Sequence, residues 1–200
     1  MQISAQQVKE LRERTGLGLM ECKSALKEAA GDLDEAEKVL RKKGMAATAK
    51  RSGRTAAEGL VGSYIHVGGK IGVMLEVNCE TDFVARNADF QALVKDLSMH
   101  IAATAPRVVS RDDVTPALLQ QEQEIHRAVA ESSGKPEAVV EKIVKGKMEK
   151  FYEENCLLEQ PFVKDTNVTI GELVTQAAAR IGENIVVRRF VRFALGEQSQ

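Results

Sequence analysis

An α+β fold is what this sequence predicts, and three observations carry the prediction. Helical periodicity opens the chain, with Val8 and Leu11, then Cys22, Ala25, Leu26 and Ala29, recurring at i, i+3, i+4 and i+7 spacings. Two runs rich in β-branched residues then flank Gly68-Gly69, the signature of a hairpin. A third such run, Ile185 to Leu195, follows only after several further helical stretches. Together they give an antiparallel three-stranded sheet packed with helices, preceded by a small helical bundle.

Composition narrows the functional classes. With 200 residues, 44% hydrophobic and 28% charged, the chain is long enough for one or two domains with a real core. A net charge of -1 provides no global field toward nucleic acid or an acidic membrane. Apolar runs fall short of the roughly 18–20 residues that span a bilayer, and Met1–Gln6 lacks the basic-then-apolar layout of a signal peptide. Cys22, Cys79 and Cys156 are odd in number and far apart, without a Cys-x-x-Cys pair, so neither a zinc site nor a full disulfide framework is indicated. A reduced cytoplasmic protein without membrane contact is the expectation. Aromatic residues make up 4% of the chain with no Trp, which argues against a stacking platform for single-stranded nucleic acid.

In order, Ser4-Ala5-Gln6-Gln7 forms a capping box whose helix should reach about Arg14. Thr15-Gly16-Leu17-Gly18 breaks it, and a second helix runs to Gly31. Asp32 and Glu35 read as another capping box, starting a third helix that buries Ala36, Val39 and Leu40 and stops at Gly44. Residues 45–58, small and charged without periodicity, read as a linker, so residues 1–44 form one domain and 59–200 a second. Lys50, Arg51 and Arg54 in that linker read as solvated charge or as phosphate contacts. Strands from Gly59 to Val67 and from Lys70 to Val77 come next, with His66 just before the turn, in a position typical of a solvated surface group. A long amphipathic helix over 89–106 buries Phe90, Leu93, Val94, Leu97 and Ile101. Helices over 116–131 and 136–154, separated by Ser132-Ser133-Gly134-Lys135-Pro136, make an antiparallel helical hairpin. Residues 155–171 read as a connecting loop, 170–181 as a helix, and the Gly196–Gln200 tail as frayed. Arg188, Arg189 and Arg192 in the last strand resemble the charges that protect an exposed sheet edge.

Two segments are unusual. Asn78 to Asn87 places Thr81, Asp82, Phe83 and Val84 at a strand-to-helix turn held by regular structure on both sides. Thr81 or Asp82 suits an N-cap. Phe83 reads either as a local staple or as an aromatic probe for another protein. Leu17, Leu19 and Met20, near Arg12, read equally as a shallow core contact or as a binding patch.

No phosphate loop, Gly-x-Ser-x-Gly or His-Glu-x-x-His is present, and His66, His100 and His126 lack metal-ligand spacing. Cys79 has no nearby base to make it a thiolate. An enzyme reading has no local support; a binding module without cofactor or metal fits better.

At this level of detail, Val8–Leu26, with Arg12-Glu13-Arg14-Thr15-Gly16-Leu17-Gly18-Leu19-Met20, resembles the N-terminal signature of the elongation factor Ts family. Leu75–Ala85, with Thr81-Asp82-Phe83-Val84, resembles its second signature, and Gly62–His66 and Arg180–Ile185 resemble further segments. The resemblance implies a nucleotide exchange factor, not an enzyme, for the GTPase elongation factor Tu. It implies a ubiquitin-associated-like N-terminal bundle that docks through Arg12, Leu19 and Met20, with His66 and Ile181 as further contacts. It also implies that the Thr81–Val84 tip, with Asp82 and Phe83 as the displacing pair, disturbs the partner's magnesium and phosphate site. Longer family members carry two copies of the core unit where this chain has one, so a homodimer is expected, through the sheet edge, the helical hairpin or both. Direct nucleic-acid binding is not expected. Other readings are an RNA- or ribosome-associated adaptor using Lys50, Arg51, Arg54 and the terminal arginines, and a small helical adaptor built on residues 1–44.

Overall fold

The computed structural model describes residues 3–197 and is a mixed helix-and-sheet fold, as the sequence predicts. The last three residues of the tail lie outside the described residues. Two compact units divide the chain. One comprises Met1–Gly59, Asn78–Gln91 and Val174–Val186; the other comprises Leu60–Val77, Ala92–Leu173 and Val187–Gln200.

The first unit begins with three helices, α1 (Ala5–Thr15), α2 (Leu19–Glu28) and α3 (Leu33–Arg51). Ser4 and Gln7 form the reciprocal capping box expected of them. Val8, Leu11, Cys22, Ala25, Leu26, Ala36 and Leu40 are buried together, with Val39 and Ala29 half-buried at the margin. Asp32 caps α3 by accepting the Glu35 N–H at 2.9 Å. The other half of that expected box is replaced, because the Asp32 N–H donates to the Ala29 carbonyl and Glu35 pairs with Lys38.

The stop expected at Gly44 is corrected, and the irregular connection expected over 45–58 narrows to residues 52–57: α3 continues through Gly44 to Arg51. Tertiary packing explains why. A Cβ on Gly44 would lie 3.1 Å from the Ala179 Cβ, and the Thr48 hydroxyl reaches the Thr175 carbonyl at 3.4 Å. Gly44 therefore serves close approach to α8 (Ile170–Ile181) rather than termination. Packing of this kind overrides the propensity of a single glycine.

The second unit is organised on a three-stranded antiparallel sheet of order β1-β2-β5. Its strands are β1 (Glu58–Ile65), β2 (Ile71–Cys79) and β5 (Val186–Ala194). Between β1 and β2 the His66 N–H donates to the Ile71 carbonyl, and Gly68 and Gly69 adopt φ of 93° and 67°. That backbone is why glycine stands there. On the covered face lie Val73, Leu75 and Val77, while α5 (Ala88–Thr104) buries Phe90, Leu93, Val94, Leu97 and Ile101 as expected. The opposite face leaves Val61, Ile65, Met74, Val191 and Phe193 exposed. Arg189 on that face pairs with Glu76 at 2.7 Å. Arg192 is a correction to the edge-protection reading, because its Nε turns under the sheet to the Ala102 carbonyl.

α6 (Pro116–Glu131) and α7 (Glu137–Asn155) form the helical hairpin. Thr115 caps α6 with Pro116 at its first turn, and Arg127 crosses to Glu137 at 2.7 Å. At the base, Arg111 bonds both Glu149 and Glu159 and stacks on Tyr152, 4.3 Å from the ring centroid. Arg111 in turn holds the Glu149 carboxyl below its ordinary range. The expected loop over 155–171 is corrected: it contains a two-stranded antiparallel sheet, β3 (Pro161–Phe162) with β4 (Asp165–Thr169). Those strands are too short to produce a periodic signal.

All three cysteines are free and buried, and burial pushes the Cys156 thiol up to about 11. His100, on α5, is fully buried against this loop. The Val163 N–H points at its Nδ1 (3.3 Å), so Nδ1 accepts and Nε2 carries the proton, donating to Gln160 Oε1 at 3.0 Å. Gln160 itself donates to the Glu154 carbonyl at 2.8 Å.

Burial opposes the charged imidazole more than the Gln160 hydrogen bond favours it, so the His100 pKa lies below its ordinary value. The sign follows from the unfolded chain, which takes up the proton first. The stability this residue contributes is therefore fully present above about pH 6.5 and is lost as the pH falls below it. Urea unfolding at pH 7.5 and 5.5 should show that loss, and His100→Gln should flatten the dependence.

Candidate functional site

Most of the residues singled out from sequence lie in the first unit: Arg12, Leu19, Met20, Thr81, Asp82, Phe83, Val84 and Ile181. His66 lies in the second unit, exposed, with its Nδ1 3.0 Å from the Tyr64 hydroxyl.

The loop between α1 and α2 is shaped by its backbone. Gly16 ends α1 at φ 68°, and its N–H donates to the Arg12 carbonyl at 2.8 Å. The Gly18 N–H is taken by the Glu21 carboxylate at 3.1 Å. These bonds fix where the next side chains go. Leu17 packs on the bundle core, whereas Leu19 is 53% and Met20 72% exposed. The apolar cluster therefore divides into one core residue and a two-residue patch. Arg12 is exposed nearby in sequence, with no ion-pair partner among the described residues. Met20 also edges a cavity of about 390 Å³ lined by Leu17, Lys43, Ala47, Arg51 and Ala179. The Arg51 Nη1 is buried without a hydrogen-bond partner. Arg51 is thus a helix residue on a cavity wall, not part of a solvated linker.

The tip is a single helical turn, α4 (Asp82–Ala85), between β2 and α5. Thr81 is its N-cap, in extended conformation, with its hydroxyl accepting the Val84 N–H at 3.4 Å. Asp82 is half-buried and its carboxylate pairs with Arg86 at 2.9 Å. Val84 is half-buried, and Phe83 is 81% exposed. The staple reading of Phe83 is thereby excluded, because a staple would bury the ring against its own chain. Asn87 then starts α5 by accepting the Asp89 N–H at 2.7 Å.

Four residues that sequence reasoning left without a role surround this turn. Glu183 accepts three hydrogen bonds, from the Glu80 N–H (3.0 Å), the Thr81 N–H (3.1 Å) and the Thr81 hydroxyl (2.6 Å). Glu80 answers by accepting the Asn184 N–H at 2.7 Å. Asn184, 4% exposed, donates its side-chain amide to the Arg54 carbonyl at 2.9 Å. Arg180 lies 3.6 Å from Asp89 and packs its methylenes on Gly16, where a Cβ would sit 2.8 Å from Arg180 Cδ. Half-buried Ile181 ends α8 beside them in sequence. The only local signal was Gly182-Glu183-Asn184, a polar run just after a helix. Its partners lie about a hundred positions away, beyond the reach of periodicity.

Burial, followed by the charge of Glu183, pushes the Cys79 thiol up, and its Sγ–H donates to the Thr81 carbonyl at 3.1 Å. No cluster of three or more His, Cys, Asp or Glu residues that could hold a metal occurs among the described residues. No helix among them is long and apolar enough to cross a membrane.

An exposed aromatic tip and a separate exposed apolar patch on one unit are the surface expected of a protein-binding module. Comparison with known proteins makes the class specific. Residues 4–197 match the family described as Elongation factor TS. The chain is 59% identical to an elongation factor Ts of Geotalea uraniireducens, over 98% of this chain and 91% of that one. It is 61% identical to one of an Anaeromyxobacter species, over 98% and 90%. It is 58% identical to one of Moorella thermoacetica, over 98% and 96%. The chain belongs to the elongation factor Ts family. Membership makes it a translation elongation factor of the kind that acts as a nucleotide exchange factor for elongation factor Tu.

Gly16→Ala tests the loop geometry. It places a Cβ in left-handed backbone and against Arg180, at a cost of about 1–2 kcal/mol. Thermal unfolding should register that loss.

Proposed function

We propose that this protein speeds GDP release from elongation factor Tu by inserting Asp82 and Phe83 beside the partner's magnesium and phosphate site, so that GTP can bind next. The observation that carries this reading is Phe83, a large ring held in water by a turn whose backbone groups are hydrogen-bonded. Leaving a ring exposed has a hydrophobic cost, which burial in a partner recovers. Thr81 and Val84 set the turn. Arg12, Leu19 and Met20 dock the bundle, with His66 and Ile181 as further contacts.

Differential binding supplies the mechanism. A tip that fits the nucleotide-free GTPase better than the GDP–Mg²⁺ form weakens GDP binding by the same factor, by linkage. A hundredfold preference corresponds to about 2.7 kcal/mol. Displacing the magnesium uncovers phosphate charge on the partner, which favours release. None of these steps makes or breaks a covalent bond. The setting proposed is the cytoplasm, with no direct contact to nucleic acid.

We also propose a homodimer. Val61, Ile65, Met74, Val191 and Phe193 form an exposed apolar sheet face, and β1 and β5 are sheet edges. A second copy burying this face is the occupant proposed.

Stopped-flow release of a fluorescent GDP analogue from elongation factor Tu tests the exchange reading. Phe83→Ala and Asp82→Ala should each slow the maximal accelerated rate by about tenfold or more, a loss of about 1.4 kcal/mol. Met20→Ala should instead raise the half-saturating concentration. Unchanged release with Phe83→Ala would refute the wedge. For the dimer, light scattering should give twice the chain mass at micromolar concentration, and Phe193→Glu should return it to the monomer value.

A further inference from the structure

We propose that Glu183 is a positioning residue for exchange: its carboxylate fixes the shape of the Thr81–Val84 tip and thereby sets the maximal rate of GDP release. This proposal rests on the reading of the tip as the exchange wedge.

The geometry is that of a clasp between two chain exits. Where β2 leaves the sheet, the N–H groups of Glu80 and Thr81 have no strand partner; Glu183 Oε2 accepts both, at 3.0 and 3.1 Å. Glu183 Oε1 takes the Thr81 hydroxyl proton at 2.6 Å. A hydroxyl has one proton and two lone pairs. With its proton committed to Glu183, Thr81 Oγ1 turns a lone pair toward the Val84 N–H, the cap that starts α4. Glu183 therefore determines the rotor state of the residue that caps the tip.

The clasp is closed from the other side. Glu80 Oε1 accepts the Asn184 N–H at 2.7 Å and lies 3.5 Å from Arg54 Nη1, which offsets the like charge of the two carboxylates. The Thr81 carbonyl is also occupied, by the Cys79 Sγ–H at 3.1 Å and the Ala85 N–H at 3.3 Å. Phe83 thus projects from a turn in which the Glu80, Thr81 and Val84 N–H groups and the Thr81 carbonyl are each engaged. Stiffness of this kind matters for a wedge, because ordering a loose loop on the partner would consume part of the differential binding. Glu183 itself does not need to touch the partner. It acts through Thr81 on Phe83.

The test combines release kinetics with amide exchange, on the full chain, for Glu183→Ala, Phe83→Ala and the double variant. Glu183→Ala should lower the maximal release rate about tenfold, the scale of lost hydrogen bonds to a charged acceptor. Its half-saturating concentration should stay unchanged, since the Met20 patch is intact. The amides of Glu80 and Thr81 should exchange faster, while that of Leu26 in the bundle core should not change. The double variant should be no slower than Phe83→Ala alone, because the clasp works only through the tip. Glu183→Gln keeps the side-chain length and one acceptor oxygen. It should give an intermediate rate, and it carries the test if the alanine variant does not fold. If Phe83→Ala slows release but Glu183→Ala and Glu183→Gln match the unmodified protein, positioning is refuted and the wedge survives. Multiplying losses in the double variant would also refute positioning. If Phe83→Ala has no effect, the wedge falls and the role of Glu183 falls with it.

Discussion

A single carboxylate accepting hydrogen bonds from the chain where β2 ends is the constraint on which the first unit depends. Backbone N–H groups leaving a sheet must find acceptors, and an unpaired one removed from water costs as much as a lost hydrogen bond. Glu183 meets that demand for Glu80 and Thr81 together, and Glu80 does the same for Asn184. The result joins segments that are distant in sequence: the end of α3, the turn after β2 and the turn after α8. The exposed ring of Phe83 projects from the turn that these bonds shape.

The second unit solves a different problem by the same means. Its helical hairpin is held at the base by Arg111, whose guanidinium serves Glu149, Glu159 and the Tyr152 ring at once. The buried His100 is tolerated because both ring nitrogens are used, one accepting from the backbone and one donating to Gln160. His100 is buried and Arg111 exposed, yet each bonds several groups at once, which specifies one arrangement of its neighbours.

Local patterns revealed most of the elements but not their long-range partners. Capping at Ser4 and at Thr81, the positive-φ pair Gly68-Gly69 and the buried stripe of α5 are all encoded within a few residues, and all were legible. Gly44 misled because a glycine in a helical stretch carries the same letter whether it ends the helix or admits a neighbour. The short strands β3 and β4 fell below the length at which alternation can be read. At the candidate site, the resemblance pointed to Thr81–Val84 and to Leu19 and Met20, while Glu183 and Arg180 stayed unassigned. Their significance lies in contacts with Thr81, Gly16 and Asp89, none of them near in sequence.

The path of α3 past Gly44 has a practical consequence for anyone dissecting the chain. A fragment ending at residue 44 would cut a continuous helix and remove the stretch that carries Thr48 to its bond with Thr175. It would also strip Ala179 from Gly44 and Arg180 from Gly16, uncovering one side of the loop that presents Met20. The bundle is therefore not a detachable cartridge. The packing around its first loop is completed by a helix encoded more than a hundred residues later, so shuffling the N-terminal segment onto another scaffold would transplant the residues without their support.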